Sequence, residues 1–278
     1  MPKSIIEVAN VSDTGQKRPH NEDSAVTDSD LGLAVVADGM GGYKAGEVAS
    51  AIAAQLILDE VRDGIARTGT RGNEVDQDSG LTRASLVIRS AVSRANAEVF
   101  RTAQEVSQCQ GMGTTVVVVF YHGDKVSIAH VGDSRVYRLR GDEFKQITRD
   151  HSLIQELIDR GFFTPEEAAE NTPKNLVTRA LGIEQTVEVD VQEQDLLPGE
   201  IYLLCSDGLN DMVDDEEIHL TLSKYSANLV LAATELVRKA NEKGGKDNIS
   251  VVLVRPQKPS AGGTGLMAKF NSFLKKGS

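Results

Sequence analysis

Apolar residues recur along this chain with two periods, and the switches between them map an order of elements. Residues 5–11 open with a strand pattern. Residues 33–37 (LAVVA) form a compact apolar run that stops at Asp38-Gly39, as a strand buried on both faces does. Residues 47–65 carry Val48, Ile52, Leu56 and Val61 at near-helical spacing and predict a helix. Residues 67–80, rich in Gly, Thr, Asp and Asn, predict a loop, and residues 81–106 a second helix with Leu86, Ala91, Ala95 and Val99 inward. The period then shortens. Residues 114–120 (TTVVVVF), 126–131, 135–139 and 144–147 predict four strands, separated by turn signals at 122–124, 132–133 and 141–142 and expected to form an antiparallel meander. Helical signals return over 150–182, where Thr164-Pro165-Glu166-Glu167 combines an N-cap, a proline at the first helical position and a capping glutamate. A strand at 201–205 (IYLLC), helices at 214–223 and 227–242 and a last strand at 249–254 (ISVVLV) complete the pattern.

Strands that are mostly antiparallel, with helices segregated in pairs, predict an α+β fold: a four-layer α/β/β/α sandwich with two central, mostly antiparallel sheets. One catalytic domain is expected over residues 1–255, interrupted by an insertion at about 150–182. Residues 256–278 read as a Pro/Gly/Ser linker and a short basic amphipathic tail, with Leu266, Met267, Phe270, Phe273 and Leu274 at helical spacing and Lys269, Lys275 and Lys276 between them. Such a tail is suited to touch a membrane surface or a partner.

Composition narrows the function. The chain has 278 residues, 40% of them hydrophobic, enough for a substantial core, and a formal charge of -11 that repels nucleic-acid backbones. Cys109 and Cys205 form no CxxC pair and are expected as reduced thiols. With no secretory leader or transmembrane run expected, the protein reads as a cytoplasmic monomer.

Four times an aspartate stands at the edge of an apolar strand: Asp38 in VVADG, Asp133 in HVGDSR, Asp207 in LLCSDG and Asp247 in KDNISVV. A carboxylate beside the core is costly unless its charge is compensated. Several together are most cheaply compensated by a hard divalent cation, and oxygen-only ligation suits Mg²⁺ or Mn²⁺. No His/Cys cluster has zinc spacing. A second pattern, Arg18-Pro19-His20-Asn21-Glu22-Asp23, sets a guanidinium able to grip a tetrahedral phosphate close to two acids.

RPHNED, DGMGG (38–42), GMGTT (111–115), GDSR (132–135), TRALG (178–182), LLCSDGL (203–209) and KDNIS (246–250) occur in the order seen in the metal-dependent protein phosphatase family, type 2C, in its bacterial form, and the chain closely resembles that family over about residues 8–254. The resemblance implies a serine/threonine protein phosphatase that hydrolyses phosphoserine and phosphothreonine by a metal-bound hydroxide at a dinuclear Mg²⁺ or Mn²⁺ centre. Asp38 would bridge the two metals, the Gly39 carbonyl would bind the first, and Asp207 and Asp247 would complete the second. Asp133 with Asp207 would hold a weaker third metal. Arg18 would bind phosphate, Glu22 and Asp23 would orient metal-bound water, Thr114 and Asn248 would support the site, and residues 150–182 would be the flap. Substrates would be phosphorylated proteins, the products of a Ser/Thr kinase. Animal members of the family carry a histidine where this chain has Met40, so metal-bound water, His20 and His151 become the candidates to protonate the leaving group. His130 is expected to be a hydrogen-bonded strand residue, and His122 and His219 are expected at the surface. The alternative class is a catalytically silent phosphoprotein-binding module, which would have lost a metal aspartate or the arginine; Arg18, Asp38, Asp207 and Asp247 are all present.

Overall fold

The computed structural model describes residues 5–42, 44–164, 167–168 and 176–257. Among the described residues, eleven strands make up two sheets: β1 (Ile6–Asp13), β2 (Asp23–Asp28), β3 (Leu33–Met40), β4 (Gly113–Thr114), β5 (Val116–His122), β6 (Lys125–Val131), β7 (Arg135–Arg140), β8 (Glu143–Gln146), β9 (Asp190–Asp195), β10 (Ile201–Cys205) and β11 (Ile249–Pro256). One sheet runs β1-β11-β10-β7-β8 and the other β2-β3-β5-β6-β9, with β4 paired to β3. Every recorded strand pair is antiparallel.

The helices are α1 (Ala45–Thr68), α2 (Arg83–Glu105), α3 (Leu153–Asp159), α4 (Asp207–Asn210), α5 (Asp215–Tyr225) and α6 (Leu229–Glu242). Three cores separate the layers. Ala34, Val36, Val117, Val119, Tyr121, Tyr202, Leu204 and Val252 fill the space between the sheets. The other face of β3 and β5 packs through Val35 and Val118 on α1 and α2, around Ile57 and Ile88. The other face of β10 and β11 packs through Leu203 and Leu253 on α5 and α6, around Leu222 and Leu236. This is the expected α/β/β/α sandwich. Because β3, β5, β10 and β11 are covered on both faces, their sequences are continuous apolar runs rather than alternating ones.

The expected meander does not form as one unit. β5 pairs with β6 and β7 with β8, but β6 and β7 lie in different sheets. The turn at 132–134 is a crossover between layers, with Gly132 at φ 109°, a backbone region that disfavours side chains. Two strands, β2 (DSAVTD) and β9 (DVQEQD), carry no apolar run at all. Both lie at sheet edges, where half-buried polar residues suffice.

Caps set several helix starts. Thr82, Ser152, Asp214 and Asn228 each accept a backbone N–H in the first turn of α2, α3, α5 and α6. Thr164 and Glu167 exchange the reciprocal bonds of a capping box. Most of the helix expected after Thr164, and residues 258–278 of the expected tail, lie outside the described residues. No helix among the described residues is long and apolar enough to cross a membrane.

Candidate metal centre

The expected aspartates converge at one end of the sandwich. β2 and β3 register Asp23 directly opposite Asp38. The Asp38 carbonyl is pinned by the Thr115 N–H (2.9 Å) and the Thr114 hydroxyl (2.8 Å). Asp207 is the first residue of α4 rather than the end of a strand. Asp247 immediately precedes Asn248 and β11, and Asp133 lies in the crossover between β6 and β7.

Their mutual charge is the clearest sign that they form one group. Burial first, then the charges of Asp23, Asp207, Asp247 and Asp133, hold the Asp38 carboxyl well above the usual carboxylate range. Burial, followed by Asp133, Asp211 and Asp247, pushes Asp207 up to about 8. Asp23 rises to about 6 through burial, against hydrogen bonds from Ser250 and Ser206 that pull it down. Asp133 rises to about 6 through burial and Asp150. Two carboxylate oxygens, Asp23 Oδ1 and Asp207 Oδ1, are buried with no hydrogen-bond partner. A buried, unpartnered carboxylate oxygen costs several kcal/mol unless a cation meets it. An all-oxygen set of this kind fits Mg²⁺ or Mn²⁺.

Glycines let the segments close around these acids. A Cβ at Gly39 would lie 2.1 Å from the Gly46 carbonyl oxygen, and one at Gly208 would lie 2.0 Å from that of Asn248. Glu22 lies against the start of α1, its carboxyl carbon 2.9 Å from where a Gly46 Cβ would stand. Burial raises its pKa. Asn248 is buried and clamps the loop that carries Arg18: it accepts from the Glu22 N–H (2.8 Å) and donates to the carbonyls of Thr14 and His20 (both 2.9 Å). Arg18 reaches in from that exposed loop and donates to Asp247 at 2.6 Å.

A cavity of about 180 Å³ beside these acids is lined by Asp133, Arg135, Asp150, Ser152, Asp207 and Asp211, among others. A larger groove, about 330 Å³, lies on the α2 surface at Ala97, Phe100, Arg101 and Gln185 and contains none of the acids. Size therefore does not locate the chemistry here; the buried charges do.

The histidines divide. His20 is exposed beside Arg18. His151 accepts from the Gly132 N–H at Nδ1 (3.1 Å), and its Nε2 faces Asp190 (3.5 Å) and Arg179 (3.2 Å). Burial, then the charges of His130 and Arg179, lower its pKa to about 4, so at neutral pH it is a neutral strut between Gly132 in the crossover and Arg179. His130 donates to the Arg149 carbonyl at 2.8 Å, as expected of a satisfied strand residue. His130, His151 and Asp190 bring three ligand atoms close together, but the two rings stack at 4.7 Å and Arg179 already holds Asp190 at 2.7 Å. Near-parallel stacked rings aim their lone pairs in parallel planes and do not converge on one ion. His122, expected at the surface, instead bridges Asn73 (3.0 Å) and Ser127 (2.6 Å), and His219 stacks on Phe144. Both cysteines are free and buried, and burial pushes Cys205 up to about 12, far from a thiolate nucleophile.

Sequence reasoning overlooked Ser206, Thr115 and Ser134. Thr115 and Ser134 share a hydrogen bond of 2.7 Å that ties the junction between β4 and β5 to the crossover. The signal available was adjacency: each sits beside an aspartate or threonine of a motif already singled out.

A two-sheet sandwich that gathers acidic oxygens for divalent cations, with an arginine at the rim, defines the class of metal-dependent phosphatases. Comparison with known proteins narrows this. The sequence model for Protein phosphatase 2C matches residues 16–245, and the chain belongs to that family. It is 37% identical over 246 residues to the serine/threonine phosphatase stp of Listeria innocua serovar 6a, covering 87% of this chain and 93% of that protein. The crystal structure of the Mycobacterium tuberculosis serine/threonine phosphatase PstP/Ppp superposes with a TM-score of 0.77 at 34% identity, covering 91% of this chain and 99% of that one. The PstP catalytic domain in complex with two manganese ions superposes with a TM-score of 0.75 at 34% identity, covering 92% and 100%. The chain is thus a metal-dependent protein serine/threonine phosphatase of the bacterial type, an enzyme rather than a silent binding module.

Proposed function

We propose that Asp38, the Gly39 carbonyl, Asp207 and Asp247 hold two divalent cations, Mg²⁺ or Mn²⁺, and that Asp133 with Asp207 holds a third. The observation that carries this is the pair of orphaned buried oxygens, Asp23 Oδ1 and Asp207 Oδ1, among acids that raise one another's pKa. When bound, such cations neutralise phosphate charge and acidify water. The chain's own residues do the rest. Arg18, on an exposed loop, exchanges Asp247 for a phosphate oxygen and sets the substrate's orientation. Glu22 and Asp23 accept the hydrogens of the attacking water. Asn248 keeps the Arg18 loop in place. Met40 offers no proton and His151 is held between Gly132, Arg179 and Asp190, so the leaving seryl or threonyl oxygen takes its proton from water or from His20, exposed beside Arg18.

The substrates in this reading are cytoplasmic phosphoproteins made by a Ser/Thr kinase. The enzyme acts as a monomer with its catalytic domain over residues 1–255, and the 256–278 tail touches a membrane surface or partner. Equal vesicle sedimentation of the full chain and a truncation at Gly265 would remove the membrane role. Phosphate release from a phosphothreonine peptide, in Mn²⁺, Mg²⁺ or EDTA, tests the centre. Release should require metal and vanish in Asp38→Ala and Asp207→Ala; wild-type turnover in both variants would sink the proposal.

A further inference from the structure

Ser206 is fully buried and stands at the N-cap of α4, immediately before Asp207, yet its side chain makes no cap bond to that helix. A serine in this position normally accepts from an N–H of the first turn. Here its hydroxyl oxygen instead accepts from the Ser250 N–H of β11 at 2.9 Å. The Ser206 N–H in turn donates to the Ser250 carbonyl at 3.2 Å, so β11 holds the residue through both backbone and side chain.

A serine hydroxyl has one hydrogen to give. A backbone N–H can only donate, so Ser250 occupies a lone pair of the Ser206 oxygen and leaves that hydrogen free. Two acceptors are in reach: Asp23 Oδ2 at 2.8 Å and the Asn248 carbonyl at 3.4 Å. The nearer and charged one wins. The hydroxyl is therefore spent on Asp23 Oδ2, while Asp23 Oδ1 stays buried and unpartnered on the strand pair that registers Asp23 opposite Asp38.

We propose that Ser206 is a positioning residue for the hydrolytic reaction: its hydroxyl locks the Asp23 carboxylate so that Oδ1, rather than Oδ2, faces the cation pocket beside Asp38 and receives the hydrogen of the attacking water. This rests on the metal-centre reading above. Ser206 ties three segments to one oxygen: β2 through Asp23, β11 through Ser250, and the start of α4 through its own backbone. Ser206 is not itself among the proposed cation ligands, so replacing its hydroxyl acts on the reaction through Asp23.

The test is a double-mutant cycle on phosphothreonine-peptide hydrolysis in Mn²⁺, using Ser206→Ala, Asp23→Asn and the pair. Mn²⁺ binding by calorimetry and melting in EDTA are measured alongside. Ser206→Ala should lower kcat by about 10- to 100-fold, as loss of an orienting hydrogen bond does. KM should stay within about twofold, because substrate binding is untouched. The Mn²⁺ dissociation constant should move by less than about threefold, well short of what losing a ligand costs. In the Asp23→Asn background, Ser206→Ala should cost less than about a further twofold, because both act through one carboxylate. Ser206→Cys, with similar volume and a weaker donor, should fall between wild type and Ser206→Ala, and it serves if the alanine variant melts too low to assay. Full kcat in a folded Ser206→Ala, or losses that multiply in the pair, would overturn the inference. So would full kcat in Asp23→Asn. The metal-centre reading survives that last result if Asp38→Ala is still inactive.

Discussion

Replacing Asp133 by asparagine should stabilise the metal-free protein, in a way that depends on pH. Asp133 is 8% exposed, and burial together with the charge of Asp150 raises its pKa from the ordinary 3.8 to about 6. About two units correspond to roughly 3 kcal/mol. The folded state binds this proton more tightly than the unfolded chain does, so stability falls as pH rises from about 4 to about 6 and remains lower above that window. Without cations, Asp133→Asn removes the buried charge and should recover up to roughly 3 kcal/mol at pH 7.5, which for a chain of this size is a melting-temperature rise of roughly 6–12 °C. Near pH 4 the two proteins should melt together. Arg135, which grips both oxygens of Asp150 at 2.7–3.0 Å, is left intact by the change. The assay is calorimetric melting in EDTA from pH 4 to pH 8, repeated with saturating Mn²⁺. With metal the order should reverse, because the wild type gains more from a cation bound only by the folded state. An Asp133→Asn protein that melts at or below wild type in EDTA at pH 7.5, or with an offset constant across pH, would refute the claim that burial and Asp150 outweigh the compensation this carboxylate receives from Arg135 and the backbone.

Arg18→Ala should leave stability within about 1 kcal/mol, since the Arg18–Asp247 pair is half exposed. It should raise KM for a phosphopeptide by about 10- to 100-fold, the worth of a charged hydrogen bond of roughly 1.5–3 kcal/mol, as steady-state kinetics will show. Gly208→Ala drives a methyl into the Asn248 carbonyl oxygen and should cost about 1–3 kcal/mol of stability along with most activity, because Asp207 shifts with the backbone. Gly42→Ala, with nothing within 4 Å, is the matched control and should melt and turn over as wild type does.

Much of the molecule is legible in the order of its residues. The buried strands β3, β5, β10 and β11 are runs such as LAVVA and ISVVLV, as a doubly covered sheet requires, and Asp38, Asp207 and Asp247 stand in or beside the ends of β3, β10 and β11. The helix pairs are legible in apolar spacing, although α1 buries Ala49, Ala53, Ile57 and Val61 and leaves Val48 36% exposed, and the bonds between Thr164 and Glu167 follow from capping chemistry. Motif order identified the reaction class. β2 and β9 escaped notice because an edge strand needs hydrogen bonding more than apolar content, and DSAVTD and DVQEQD show none of the usual period.

The sequence alone therefore determined which residues are candidates for the chemistry and where most elements lie, because side-chain type and periodicity are local properties of a chain. Tertiary structure alone decided how those residues meet. The change of sheet at 132–134 brings Asp133 to the same end as Asp207. The register of β2 on β3 sets Asp23 against Asp38, and Asn248 holds a loop more than two hundred residues away in the chain. The role of Ser206 is invisible in LLCSDG, where it looks like a helix cap; only the approach of β2 and β11 turns its single hydrogen toward Asp23. Contacts between segments distant in sequence depend on sheet register and layer packing, and no local pattern encodes these.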